Sequence, residues 1–350
     1  MNGKHVLLAL SFLPVLLLAA CSNGTDNNIT GKATANAQQI GTGQEPEFYY
    51  VASEDGSIKK FNAKSNSLAD TIQTRGLVHN VQVSPDGKVL AATVGVEKNA
   101  HSDGHLPGTV LFYDTGNDQL IKQVTAGSHP AYTVFTNDGK YALVTNSEDN
   151  NLSVIDMESY RIIRSIPTGS KPTGLQVSKD DRYAYVANMG DNTVSVVDLR
   201  NFQESKKFKV GQKPVMTGIT GDGKTLVVTL NGENSLAIVD VTSGELHKVP
   251  VGKGPVELWI QADDRYVFVA NQGTQQTPTA TITKVDVKNQ KAVATIQTGN
   301  GPHGLSGSSN SGKIYVTNMF ENTVSVIDTT INEIVQTFEV GRMPNGITLK

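Results

Sequence analysis

A chain of 350 residues with a single cysteine, Cys21, has little covalent chemistry to draw on. Beyond that residue no thiol remains, so no disulfide can form and no thiolate is offered to a metal or a substrate; stability has to come from packing. Charge of one sign is missing too. Lysine and arginine number 30 against 33 acidic residues, a net charge of −3, and no basic block exists, which argues against a nucleic-acid partner. After residue 18 no apolar stretch is long enough to cross a membrane, since a spanning helix needs about 20 apolar residues. No segment shows a convincing helical period. Signatures of catalysis are equally absent: no Gly-x-Ser-x-Gly elbow, no Ser/His/Asp trio, no His-Glu-x-x-His pair and no Cys-x-x-Cys-His haem attachment.

What is present begins with a leader. Lys4 precedes an apolar run from Val6 to Leu18, broken only by Ser11 and Pro14, and the run ends in Leu18-Ala19-Ala20-Cys21. A basic start, a short apolar core and small residues make a secretory signal over residues 1–20. Its ending resembles the bacterial lipoprotein signal. That resemblance implies that Cys21 receives a diacylglycerol and becomes the first residue of the mature chain, a lipid-anchored protein on the extracytoplasmic face of the cell membrane. Two or more acyl chains, of the palmitate kind, on one cysteine hold firmly where one would not. Residues 21–46 contain only Ile29 and Ile40 as large apolar side chains, too few to order the segment. They are expected to form a flexible tether to a domain over residues 47–350.

That domain is repetitive, and self-similarity decides the fold. An apolar strand ends in Asp at Asp114, Asp156, Asp198, Asp240, Asp286 and Asp328, with a degenerate copy at Asn62; from Asp114 on, the spacings are 42, 42, 42, 46 and 42. Gly-x-x-Pro recurs at Gly127, Gly169, Gly211, Gly252, Gly299 and Gly341, with a worn copy at Arg75-Gly76-Leu77-Val78. A third marker is a strand ending in Asn, as in Tyr185-Val186-Ala187-Asn188 and Tyr315-Val316-Thr317-Asn318. Each repeat parses into four short strands. In one, these are Gly174 to Ser178, Tyr183 to Asn188, Thr193 to Asp198 and Glu204 to Val210. The runs are β-branched and aromatic, with Gly, Asn and Asp between them.

Seven four-stranded units of about 40 residues predict an all-β chain, a single seven-bladed β-propeller of antiparallel blades. The domain begins at a second strand, Phe48 to Ala52, and finishes with Met343 to Leu349, which reads as a first strand. The C-terminal strand is therefore expected to complete the first blade. The Tyr-Val-Ala-Asn and Tyr-Val-Thr-Asn strands, Gly-x-x-Pro and Val-Ile-Asp together resemble the bacterial YVTN-type β-propeller repeat family over essentially residues 47–350. The resemblance implies the seven-bladed ring and export; it implies no single activity.

Residues that recur in every blade read as architecture. The strand-ending Asp residues are expected to accept backbone bonds in the following turn. Function is sought where blades differ. The second blade carries an insertion from Gly95 to Gly108, and the sixth a smaller one from Gln272 to Thr279. Both belong to the rim where the central channel opens, the default ligand face of the fold. The histidines gather there as well. His101 and His105 lie in the second-blade insertion, His129 precedes the Pro of one motif, and His79 and His303 occupy equivalent positions just after the motif; Asn345 holds that position in the first blade. Only His247 among the histidines after the leader falls elsewhere. Imidazole is the commonest metal ligand, suited to copper, zinc or iron, so this set is a candidate metal or ligand site.

The expected function is a non-enzymatic, membrane-tethered binding scaffold, a monomer, taking a protein, a wall polymer or a metal at the channel mouth. A redox-related or metallocofactor role is the alternative, because propellers that carry haem d1 and the propeller of nitrous oxide reductase are similar architectures. A lactonase is a third reading. That family has a Gly-Pro-Arg-His signature, and here Gly301-Pro302-His303 and Ser128-His129-Pro130 both lack the arginine.

Overall fold

The computed structural model describes residues 47–95, 107–308, 310 and 312–350. The leader, the tether with Cys21, and the His101 and His105 stretch of the second-blade insertion lie outside these residues. The strands form seven separate four-stranded sheets. In the fourth, Pro172–Val177 is innermost, followed outward by Tyr183–Asn188, Thr193–Asp198 and Gln203–Lys209. Tyr183–Asn188 and Thr193–Asp198 are all but wholly buried, whereas the outermost strand buries little beyond Phe208. Their near-continuous apolar composition follows from that placement, since blades cover both their faces.

Alternation along a strand assigns its two faces to two neighbours. On Phe48–Ser53, Tyr49 and Val51 pack with Tyr315, Val324 and Val326 of the seventh blade. Tyr50 and Ala52 pack with Val78, Val81 and Leu90 of the second. Seven such clusters occupy the seven interfaces, and the one between the seventh and first blades shows that the ring is shut. Pro344–Leu349 completes the first blade as expected, pairing antiparallel with Tyr49 opposite Leu349 and Val51 opposite Ile347.

The repeated motifs have steric and hydrogen-bonding causes. Asn188 donates through its amide to Thr193 and Ser195 of the next strand at 3.0 and 2.8 Å, and Asn318 does the same to Thr323 and Ser325. The Gly of Gly-x-x-Pro lies against that amide. A Cβ on Gly169 would stand 2.6 Å from Cγ of Asn188, and one on Gly299 2.7 Å from Cγ of Asn318. The two motifs are therefore one device that locks an inter-strand loop onto the end of a strand. The strand-ending Asp residues accept turn amides as expected. Asp114 takes those of Gly116 and Asn117, and Asp328 those of Thr330 and Ile331. Between the first and second blades the buried Lys60 reaches Asp118 at 2.9 Å and the carbonyl of Thr115. Lys284 repeats the arrangement toward Thr329 and Asn332, from the sixth blade to the seventh.

Candidate functional site

The inner strands run side by side around the hub, so the residue just after each motif Pro faces the central channel. Seven such positions, His303, Asn345, His79, Ala131, Thr173, Val215 and Val256, line one cavity of about 210 Å³. A single water needs only about 10–15 Å³ by the same kind of measure, so the space suits a small molecule. His129, from the loop before Pro130, also lines it. The structure thus brings together four of the six residues expected at this site: His79, His129, His303 and Asn345. His101 and His105 are outside the described residues. The described ends of their insertion nonetheless abut the mouth, since Gly95 lies against the His79 ring and Gly108 against Pro130. The sixth-blade insertion is at the same rim, where the amide N–H of Gln272 donates to the carbonyl of Gly254 and its side chain to Met319, which lines the cavity.

The imidazoles are not free rotors. His303 Nδ1 lies 2.8 Å from the backbone oxygen of Asn345. A carbonyl only accepts, so Nδ1 carries the proton and Nε2 keeps its lone pair. Burial holds His303 below the usual imidazole range and brings His79 down to about 4, with His129 and His303 adding repulsion at His79. Both rings are therefore neutral at pH 7. The His79 and His129 rings lie 5.4 Å apart, centroid to centroid. Among the described residues no three His, Cys, Asp or Glu side chains stand closely enough together to hold a metal ion.

Two residues that sequence reasoning missed form the floor. One position further along each inner strand come Gly304, Gly346, Asn80, Tyr132, Gly174, Met216 and Glu257. Tyr132 and Glu257 are three blades apart, as far as a seven-bladed ring allows, and the Tyr132 hydroxyl donates to Glu257 Oε2 at 3.0 Å across the hub. Glu257 is only 7% exposed. Its other oxygen accepts from the amide of Leu258 at 3.3 Å. Desolvation pushes its carboxyl up to about 8 and the Tyr132 phenol well above its usual value. A signal was present in the sequence: three of the seven equivalent positions are glycine, which makes a Tyr and a Glu there exceptional.

A family profile described as YNCE-like beta-propeller matches residues 114–264 and 216–350. A search of curated protein sequences returned no match. Among solved structures, the chain resembles hydrazine synthase of Kuenenia stuttgartiensis at 22% identity and a TM-score of 0.68, over 78% of this chain and 89% of that one. It resembles a functionally unknown protein from Desulfotomaculum acetoxidans at 14% identity and a TM-score of 0.73, over 87% and 98%. Similarity to the dihydro-heme d1 dehydrogenase NirN is 18% identity with a TM-score of 0.63, over 84% of this chain and 64% of that one. At these identities the likeness is one of fold.

Proposed function

The chain belongs to the family of YNCE-like β-propellers, and from that premise we propose that it is a non-enzymatic binding module whose ligand site is the hub cavity at the histidine-bearing mouth. The observation that carries this reading is convergence: every blade contributes its post-motif residue to one cavity, and the residues that break the repeat, His79, His303, Tyr132 and Glu257, all line it. Repeat symmetry alone would favour small, similar side chains there. Departure from symmetry at the hub, with architecture kept elsewhere, is what a binding site on a repeat scaffold requires. Lipid on Cys21 and a tether through residue 46 would display this module at the extracytoplasmic face of the membrane as a monomer. Labelling cells with an alkyne analogue of palmitate tests the anchor, and label surviving in Cys21→Ser would refute it.

The cavity is tested by a thermal-shift panel of small cations, anions, neutral polyols and divalent metals on the full chain and on Ala131→Trp, which fills the mouth. Stabilisation by a panel compound that disappears in the variant supports the reading; an unchanged response, or none at all from the wild type, contradicts it. A second reading, copper, zinc or iron at the same mouth, is favoured by the close approach of His79 and His129. Titration of metal-free protein with Cu²⁺ or Zn²⁺ tests it, and an unaltered affinity in the His79→Ala/His303→Ala double variant ends it.

A further inference from the structure

Glu257 is a buried acid with no cationic partner among the described residues. Its carboxyl touches a phenol and a backbone amide, and among the described residues no lysine or arginine lines the cavity, whereas a second carboxyl, Glu54 at the rim, does. Burying a carboxyl without a counter-ion is costly, and a glutamine would tie Tyr132 across the hub without that cost. The acceptor inventory of the walls points the same way. Asn345 is 5% exposed, and its side-chain oxygen, Oδ1, is buried away from the cavity. His303 spends its one N–H on the Asn345 backbone, Tyr132 spends its hydroxyl on Glu257, and Asn80 Oδ1 is already taken by the amide of Thr133. What remains open toward the cavity includes lone pairs on His303 Nε2 and on oxygens of Glu257 and Tyr132, the last also bonded by the Asn80 side chain. Apolar side chains, Val215, Met216, Val256, Leu305 and Ile347, cover the rest.

We propose that the hub cavity binds a small primary ammonium compound, its N–H donors met by Glu257, Tyr132 and His303 Nε2 and its hydrocarbon laid against Val215, Met216 and Leu305. This rests on the hub being the binding site. Among the described residues anions find no positive group there and metals find no three ligands together. Glu257 is mostly protonated at pH 7, so the cation is bound as the carboxyl gives up one proton to solvent. Facing the same cavity are Tyr132, His79, His129, His303 and Glu54. Burial keeps His79 and His303 neutral above pH 6.5, and comparison with Glu257→Gln separates the share of Glu257 from that of the other groups.

Calorimetric titration of the full chain with n-butylammonium at several pH values is the test. Expected is an affinity that rises close to tenfold per pH unit below about 8 and levels off above it. Comparing buffers of different ionisation heat should show nearly one proton released at pH 7, a readout that needs no variant. Glu257→Gln should bind more weakly and without the pH slope. Butylammonium binding with no proton released, or undiminished in Glu257→Gln, overturns the proposal. If butyrate, butanol or Zn²⁺ binds instead and is lost in Ala131→Trp, the ammonium proposal fails while the hub remains the site. If nothing tested depends on Ala131, both fail.

Discussion

Replacing Glu257 by glutamine should change how stability depends on pH, and the size of the change follows from where the carboxyl sits. Free carboxyls of this kind titrate near 4.5, and desolvation at the hub moves this one to about 8. Between those values the folded chain keeps a proton that the unfolded chain has lost. Its stability is therefore fullest below pH 4.5 and declines as pH rises toward 8. His79 and His303, both lowered by burial, work in the opposite sense but only below about 6.5. The interval from pH 6.5 to 8 isolates the acid, and linkage gives it about 1.5 kcal/mol there. Urea unfolding at both pH values, on the wild type and on Glu257→Gln, makes the comparison; every other titrating group, Glu54 included, cancels in the difference. The wild type should lose about 1.5 kcal/mol more than the variant over this interval. Equal losses in the two proteins would mean that Glu257 is ionised in the fold at pH 6.5, and the account of an acid held neutral without a counter-ion would be wrong.

Three further outcomes follow from the packing. Lys60→Ala should destabilise by about 3 kcal/mol, because it strands the Asp118 carboxylate, whose side chain is 10% exposed, between two blades; chemical denaturation measures it. Gly169→Ala forces a methyl group onto the Asn188 amide and should cost about 1–3 kcal/mol, whereas Gly139→Ala meets no atom within 4 Å and suffers only from its left-handed backbone, φ 72°, at roughly 1 kcal/mol. Deleting residues 344–350 uncovers the edge of Phe48–Ser53 and splits the seventh interface; light scattering should then report self-association through the open strand, and a monodisperse, cooperatively unfolding protein would contradict the closure.

The architecture was open to sequence reasoning because each blade repeats the same solution to the same packing problem. Tyr183 to Asn188 and Thr193 to Asp198 were placed to the residue, and the C-terminal strand was found by its offset. Strand limits slipped where chemistry is weakest: the inner strand begins at Pro172 rather than Gly174, since a proline can open a strand. At the site, alignment of repeats located the mouth residues His79, His303 and Asn345. It missed Tyr132 and Glu257: glycine at three equivalent positions marks them as exceptional, but their contact joins strands 125 residues apart. The pairing of Gly-x-x-Pro with the strand-ending Asn was likewise invisible until both were seen to share one space.

The most direct test of the hub as the binding site uses the histidines themselves. Side-chain ¹⁵N resonances of His79, His129 and His303 lie around the mouth, and His247 on the outer strand Leu246–Pro250 serves as an internal control. Adding butylammonium at pH 8 should move the first three and leave His247 in place. Movement of His247 alone, or no movement at the mouth under conditions where calorimetry records binding, would put the ligand elsewhere and contradict the account.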